Sequence, residues 1–329
     1  MSNYTWEYIQ KHPQEVKRLI GIDFDQLQQL LKQGKFLHQK KQEEKEKEKI
    51  RIIKAGGGKS PKLSLEEQMI LTLVYLRHHL TFQVLGLLFQ VSESTAHNLF
   101  NYWQMLFREG LPASLLEQVK KYQENEELIQ EELRKYELIV DSGEQARERP
   151  LDYQTQKEYY SGQQKNHTFK NQFIVLPSGK DIVDVVVGRP GPKSDINLCR
   201  ERLRLFHPEQ RLIGDKAYVG EAQIKTPHKK PKKKEITASQ KEENKALSSE
   251  RIFVEHLIRV VKIFKVAQER FRLRKNKYTS IILTICGLVR LRKGCLILEI
   301  VKDDHNEKTI AVLKHHSFGA NLPLVTSNT

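Results

Sequence analysis

The chain has 329 residues, with 56 Lys and Arg against 41 Asp and Glu, a formal charge of +15. Its longest uncharged apolar run, near Ile281–Val289, falls far short of the roughly 20 residues of a membrane span, and the three cysteines (Cys199, Cys286, Cys295) are too few, with no metal-type spacing, for a disulfide or thiolate scaffold. No export leader is legible, and the positive excess points to a polyanion, most simply nucleic acid.

Residues 1–37 place apolar side chains at helical spacing (Ile20, Phe24, Leu27, Leu30, Leu31). Lys40 to Lys49 is all Lys, Glu and Gln, which reads as a solvated helix or a disordered linker. Gly58-Lys59-Ser60 imitates the end of a phosphate-binding loop, but Ile53 stands where that motif needs glycine and no apolar strand leads in. Residues 55–61 therefore read as a flexible hinge.

Ser64 and Glu67 form a capping box that opens a helix through Met69, Leu73 and Leu76. Thr81 caps a second helix through Leu85 and Leu88, and Ser92 a third through Ala96, Leu99, Phe100 and Trp103. Two helices, a tight turn and a capped third describe a helix-turn-helix over residues 62–110. The outward residues of the third helix are Ser94, His97, Asn98 and Asn101, and an asparagine can bond an adenine edge bidentately. Residues 111–136 then read as a solvated connecting helix.

The pattern changes at Glu137. An apolar run ends in Asp141; His167–Val175 and Ile182–Val187 read as strands around a Pro177–Lys180 turn; a helix spans Asp195–Leu205; a second apolar run ends in Gly214-Asp215. Lys225, Lys229, Lys230, Lys232, Lys233 and Lys234 form a basic, proline-punctuated segment suited to phosphates. Thr237 and Gln240 open a long helix to about Val266, and a last helix covers Tyr278–Arg292. The expectation for 137–295 is an α/β domain with a mixed sheet, followed by a tail without pattern.

Asp141 and Asp215 each end an apolar strand, where α/β sheets open their sites. The long helix is apolar almost all round, so it is expected to be buried, and one polar stripe interrupts it: Arg251, Glu255, Arg259 and Lys262. A buried glutamate needs cations, either the arginines of its own stripe or a metal shared with Asp141 and Asp215. Glu250 competes for that place but lies beside the apolar face. Three carboxylates without cysteine suit Mg²⁺ or Mn²⁺ rather than Zn²⁺, and His256 points away from the face of Glu255.

At these residues the chain resembles a known family, the insertion-sequence transposases of the DDE superfamily endonuclease type, bacterial relatives of the Harbinger transposases. The resemblance rests on residues 138–145, Tyr160-Ser161-Gly162 with 167–170, Gly188-Arg189-Pro190-Gly191 with Ser194-Asp195, residues 214–218, and Val254-Glu255-His256. It implies an RNase H-like catalytic domain with the triad Asp141, Asp215 and Glu255. Arg251, Glu255 and Lys262 also fit the family's helix signature, whose tyrosine position is Ser248 here. Asp184 and Asp195 are read as structural.

The function expected is a transposase that binds terminal inverted repeats of double-stranded DNA, cleaves at the element ends and joins the 3′-hydroxyls to target DNA with two Mg²⁺ or Mn²⁺ ions. Asp141 would bridge the ions, Asp215 and Glu255 would each hold one, and Arg251 and Lys262 would steady phosphates or orient Glu255. A homodimer on DNA and a cytoplasmic, nucleoid-associated location are expected. Two alternatives stand beside this reading: an inactive DNA-binding regulator, and a site-specific endonuclease without strand transfer.

Overall fold

The computed structural model describes residues 6–48, 60–230, 235–296 and 298. Most of the expected hinge at 55–61, Lys232, Lys233, Lys234 and nearly all of the tail lie outside the described residues.

Helices α1 (Trp6–Lys11), α2 (Val16–Ile20) and α3 (Phe24–Lys47) open the chain. An Asp23–Gln26 capping box starts α3, whose buried residues, Leu27, Leu30, Leu31 and Gly34, all lie in its first half. The charged run extends that anchored half as solvated helix, because propagation costs far less than nucleation. Helices α4 (Leu65–His78), α5 (Phe82–Phe89) and α6 (Glu93–Gly110) follow, capped by Ser64, Thr81 and Ser92 as their sequences dictate. The turn between α5 and α6 is tight. Gln90 is left-handed at φ 55°, and a Cβ on Gly86 would lie 2.7 Å from the Val91 carbonyl oxygen, so only glycine fits there. Tyr75 stacks on Phe82 at 4.7 Å and meets Phe100 at 4.3 Å, tying the three helices together.

Helix α7 (Leu115–Tyr122) and helix α8 (Glu126–Arg134) replace the single connecting helix expected. They bury Val119, Ile129 and Leu133, so the connection is docked rather than solvated. The sheet then forms from β1 (Leu138–Ala146), β2 (Tyr160–Ser161), β3 (Asn166–Val175), β4 (Ile182–Pro190), β5 (Leu212–Ile213) and β6 (Ile224–Lys225). Helix α9 (Tyr153–Tyr159) precedes β2, and α10 (Asp195–Leu203) precedes β5. β1, β3 and β4 pair antiparallel, whereas β1, β5 and β6 pair parallel. That mixed order is the RNase H-like arrangement. Helices α11 (Ala238–Lys262), α12 (Lys265–Gln268) and α13 (Lys275–Arg292) complete the described chain.

Strand alternation divides the core. Ile139, Phe173 and Val175 face a cluster that runs without a break from Ile9, Leu27 and Trp103 to Val254, Phe264 and Leu288. Leu138, Val140 and Ile174 face a second cluster with Val119, Ile129 and Cys199. The N-terminal helices thus share one core with α11–α13. Helix α11 is not buried all round, contrary to the sequence expectation. Its buried side is Leu247, Val254, Leu257, Ile258 and Val261, while Ile252 and Phe253 are 42% and 38% exposed. It packs on one face of the sheet, over β1 and β3, and keeps its other side in water. Among the described residues, no helix is long and apolar enough to cross a membrane.

Candidate active site

The parallel pairing of β1 with β5 matches Leu138 to Leu212 and Ile139 to Ile213. Asp141 and Asp215 each lie two residues beyond the last matched pair, so equal offsets carry them to the same end of neighbouring strands. Paired strands run about 4.8 Å apart, which brings the two carboxylates into each other's field. Asp141 is not at a strand end, as its apolar run suggested. β1 continues to Ala146 because β3 pairs along its other edge, with Asp141 opposite Phe173 and Ala146 opposite Thr168. The end that matters is that of β5, which stops and leaves the edge of β1 open beside Asp141. Asp215 caps a short turn of helix at Lys216–Tyr218, one of its oxygens accepting the Ala217 N–H at 2.8 Å.

Helix α11 brings Arg251 and Glu255 to the same place. Burial pushes the Asp141 carboxyl up to about 6, against the Ser142 backbone N–H and the Arg251 cation, which lower it, and with the charges of Asp215 and Glu255, which raise it further. One half-buried acid therefore feels two more carboxylates and a single guanidinium. Arg251 is itself incompletely used, since its Nε is buried with no hydrogen-bond partner. Glu255 is exposed, so the premise of a buried glutamate is corrected: water screens its charge without a compensating cation. Glu250 belongs to another neighbourhood, where crowding and the charge of Glu137 raise its carboxyl and Lys225 opposes them. Lys262 is exposed two turns beyond Glu255.

The donor set is all oxygen, as Mg²⁺ or Mn²⁺ requires, and the crowded negative charge is what a divalent cation would relieve. The carboxylates are neighbours rather than a closed cage. Among the described residues, no group of three or more His, Cys, Asp or Glu is drawn together tightly enough to hold an ion.

Of the nearby acids outside this group, Asp184 takes Arg202 through both oxygens at 2.6 Å. Asp195 lies 3.0 Å from the Lys170 ammonium, but that oxygen is buried and accepts no hydrogen bond. Sequence reasoning missed a polar cluster under the site. Ser142 lies opposite Gln172 in the β1–β3 register, and both bond the Tyr218 hydroxyl, Ser142 Oγ at 2.8 Å and Gln172 Nε2 at 3.2 Å. Two polar residues on facing strands were the available signal, but it needs the register to be read.

On α6, His97 and Asn98 are exposed, whereas Asn101 is half-buried and turns back. Its Nδ2 donates to the His97 carbonyl at 2.8 Å, and the His97 ring stands edge-on to Phe82 at 4.9 Å. Lys229 and Lys230 are exposed. Their loop is tied to the start of α11 by His228, whose ring bonds Glu243 at 2.7 Å, and Lys230 pairs with Glu235 at 2.7 Å.

Residues 140–290 match the family described as DDE superfamily endonuclease, and residues 61–113 match the helix-turn-helix of DDE superfamily endonuclease. A probable transposase for insertion sequence element IS702 from Microchaete diplosiphon is 30% identical over 229 residues, spanning 67% of this chain and 78% of the relative. Two solved structures are distantly similar. A pre-cleavage Mos1 transpososome shares 12% identity over 76% of this chain and 82% of its own, with a TM-score of 0.21. A Mos1 transposase paired-end complex with left transposon end shares 11% over 71% and 88%, with a TM-score of 0.19. The matched segments cover both the helix-turn-helix and the sheet that holds Asp141 and Asp215, and divalent metal ions are the general cofactors of this superfamily. The chain belongs to the insertion-sequence transposases of the DDE superfamily endonuclease type, with an N-terminal helix-turn-helix.

Proposed function

We propose that this protein binds the terminal inverted repeats of its own element as a homodimer, cleaves a phosphodiester at each end and joins the freed 3′-hydroxyl to target DNA. The observation that carries this reading is the raised Asp141 carboxyl, an acid crowded by Asp215 and Glu255 and only partly offset by Arg251. Asp141, Asp215 and Glu255 would hold two Mg²⁺ or Mn²⁺ ions. When bound, such ions activate an attacking oxygen and stabilise the leaving one.

The chain's own groups do the rest. Arg251, with a free buried Nε beside Asp141, steadies a phosphate of the strand being cut. Lys262 extends that contact along α11. Asn98 reads a base edge, with His97 and Asn101 shaping the surface around it. Lys229 and Lys230, with Lys232, Lys233 and Lys234, meet the DNA backbone between Asp215 and α11.

The test uses labelled element ends, intact and precut, in Mg²⁺. The wild-type protein is expected to cut the intact ends and to join the precut ones. Asp215→Asn is expected to do neither while still retaining the ends on a gel. Cutting without joining would favour the endonuclease alternative, and binding alone by the wild type would favour the regulator.

A further inference from the structure

The Tyr218 side chain touches the chain next to both strand aspartates. Its ring is buried and lies against Gly214, the residue before Asp215. A Cβ on Gly214 would come within 2.8 Å of the ring, so glycine is what lets the two surfaces close. Its hydroxyl bonds Ser142 Oγ at 2.8 Å, and Ser142 is the residue after Asp141. Gln172, 1% exposed, locks the junction. Its Nε2 donates to the Tyr218 hydroxyl and to Ser142 Oγ, each at 3.2 Å, and to the Asp195 carbonyl at 2.9 Å. Successive strand residues point to opposite faces, so Ser142 lies beneath the sheet when Asp141 lies above it.

β5 makes this contact consequential. The parallel ladder between β1 and β5 has two matched pairs and ends before either aspartate. Among the described residues, the two strands have no matched pair beyond Ile139 and Ile213. The tyrosine closes the gap from below.

We propose that Tyr218 is a positioning residue, a strut that runs from Gly214 to Ser142 and sets the spacing of the Asp141 and Asp215 carboxylates for a pair of divalent cations. The proposal rests on the reading of those aspartates as metal ligands. Outer partners of this kind orient ligands without touching the ion, and their loss typically weakens metal binding about 10- to 100-fold.

The experiment measures Mn²⁺ binding to the full chain by electron paramagnetic resonance, without DNA, beside melting temperature and the Mg²⁺ dependence of end cleavage. Tyr218→Phe keeps the ring on Gly214 and removes only the hydroxyl. It is expected to raise the Mn²⁺ dissociation constant, and the Mg²⁺ concentration for half-maximal cleavage, about tenfold, with melting and end binding near wild type. Ser142→Ala cuts the same bond from the other side and should match it. The double variant should be no worse than either single one, because both remove one interaction. Asp141→Asn should abolish tight Mn²⁺ binding.

Wild-type Mn²⁺ affinity in Tyr218→Phe, with Asp141→Asn defective, would overturn the strut and leave the metal reading standing. A lowered melting temperature with unchanged Mn²⁺ affinity would also overturn it, since that is a packing role. If Asp141→Asn binds Mn²⁺ normally, the metal reading fails and the strut falls with it.

Discussion

Arg290 and Arg251 are two arginines on neighbouring helices with opposite accounts of their charge. Arg290 is fully buried and uses all five of its N–H donors. Asp181 takes two of them at 2.7 and 2.9 Å, and Pro112, Ser114 and Gln118 take the others at 2.9 to 3.1 Å. Burial works against that cation, and the Asp181 carboxylate more than offsets it, holding the guanidinium above its ordinary pKa. Arg251 has a buried Nε with no partner and faces an acid crowded by two others. A buried charge whose every donor is taken joins parts of the fold; here it ties α13 to α7 and the β3–β4 turn. A half-buried guanidinium with an unpartnered N–H is suited to a group from outside the chain.

The largest expected effect tests the second half of that contrast. Glu255→Gln keeps size and removes charge, so end cleavage in Mg²⁺ should fall by several orders of magnitude, to background, because the acids act as one unit. Its melting temperature should hold, since Glu255 is exposed. Glu250→Gln, in the neighbourhood of Glu137 and Lys225, should cut within about twofold of wild type, as surface changes away from the chemistry do. Normal cleavage by Glu255→Gln, or its loss in Glu250→Gln, breaks the assignment.

Next comes stability. Arg290→Met strands the Asp181 carboxylate in the core and should cost about 3–5 kcal/mol in a melting experiment. Arg251→Met should melt near wild type while losing cleavage, because no hydrogen bond of its Nε is given up. Equal melting losses in the two variants would erase the distinction between them.

The DNA-facing surface gives smaller effects. Asn98→Ala should cost about 1–3 kcal/mol on the element's ends and little on random duplex, if that side chain reads a base. Asn101→Ala should cost less, because its amide is already committed to the His97 carbonyl. Smallest of all, Lys229→Ser and Lys230→Ser should each lower the salt slope of binding by about one unit. An unchanged slope would mean that the loop, pinned by His228 to α11, does not reach the phosphates.

Local chemistry settled much of this molecule in advance. Ser64, Thr81, Ser92 and Thr237 cap helices where their side chains say they should, because a cap needs only the next three residues. The strands of the central sheet, and the candidate carboxylates Asp141, Asp215 and Glu255, were legible from apolar runs, their termini and a family resemblance. What the sequence could not decide is anything that depends on a partner far along the chain. Asp141 is in mid-strand because β3 extends one edge of β1 past the end of β5. Helix α11 keeps Ile252 and Phe253 partly in water, and periodicity cannot say which of two apolar sides finds a neighbour. The continuous core from Ile9 to Leu288, the saturation of Arg290 and the bond from Tyr218 to Ser142 all join residues tens to hundreds of positions apart. Such contacts are specified by shape and register, which exist only once the chain has folded.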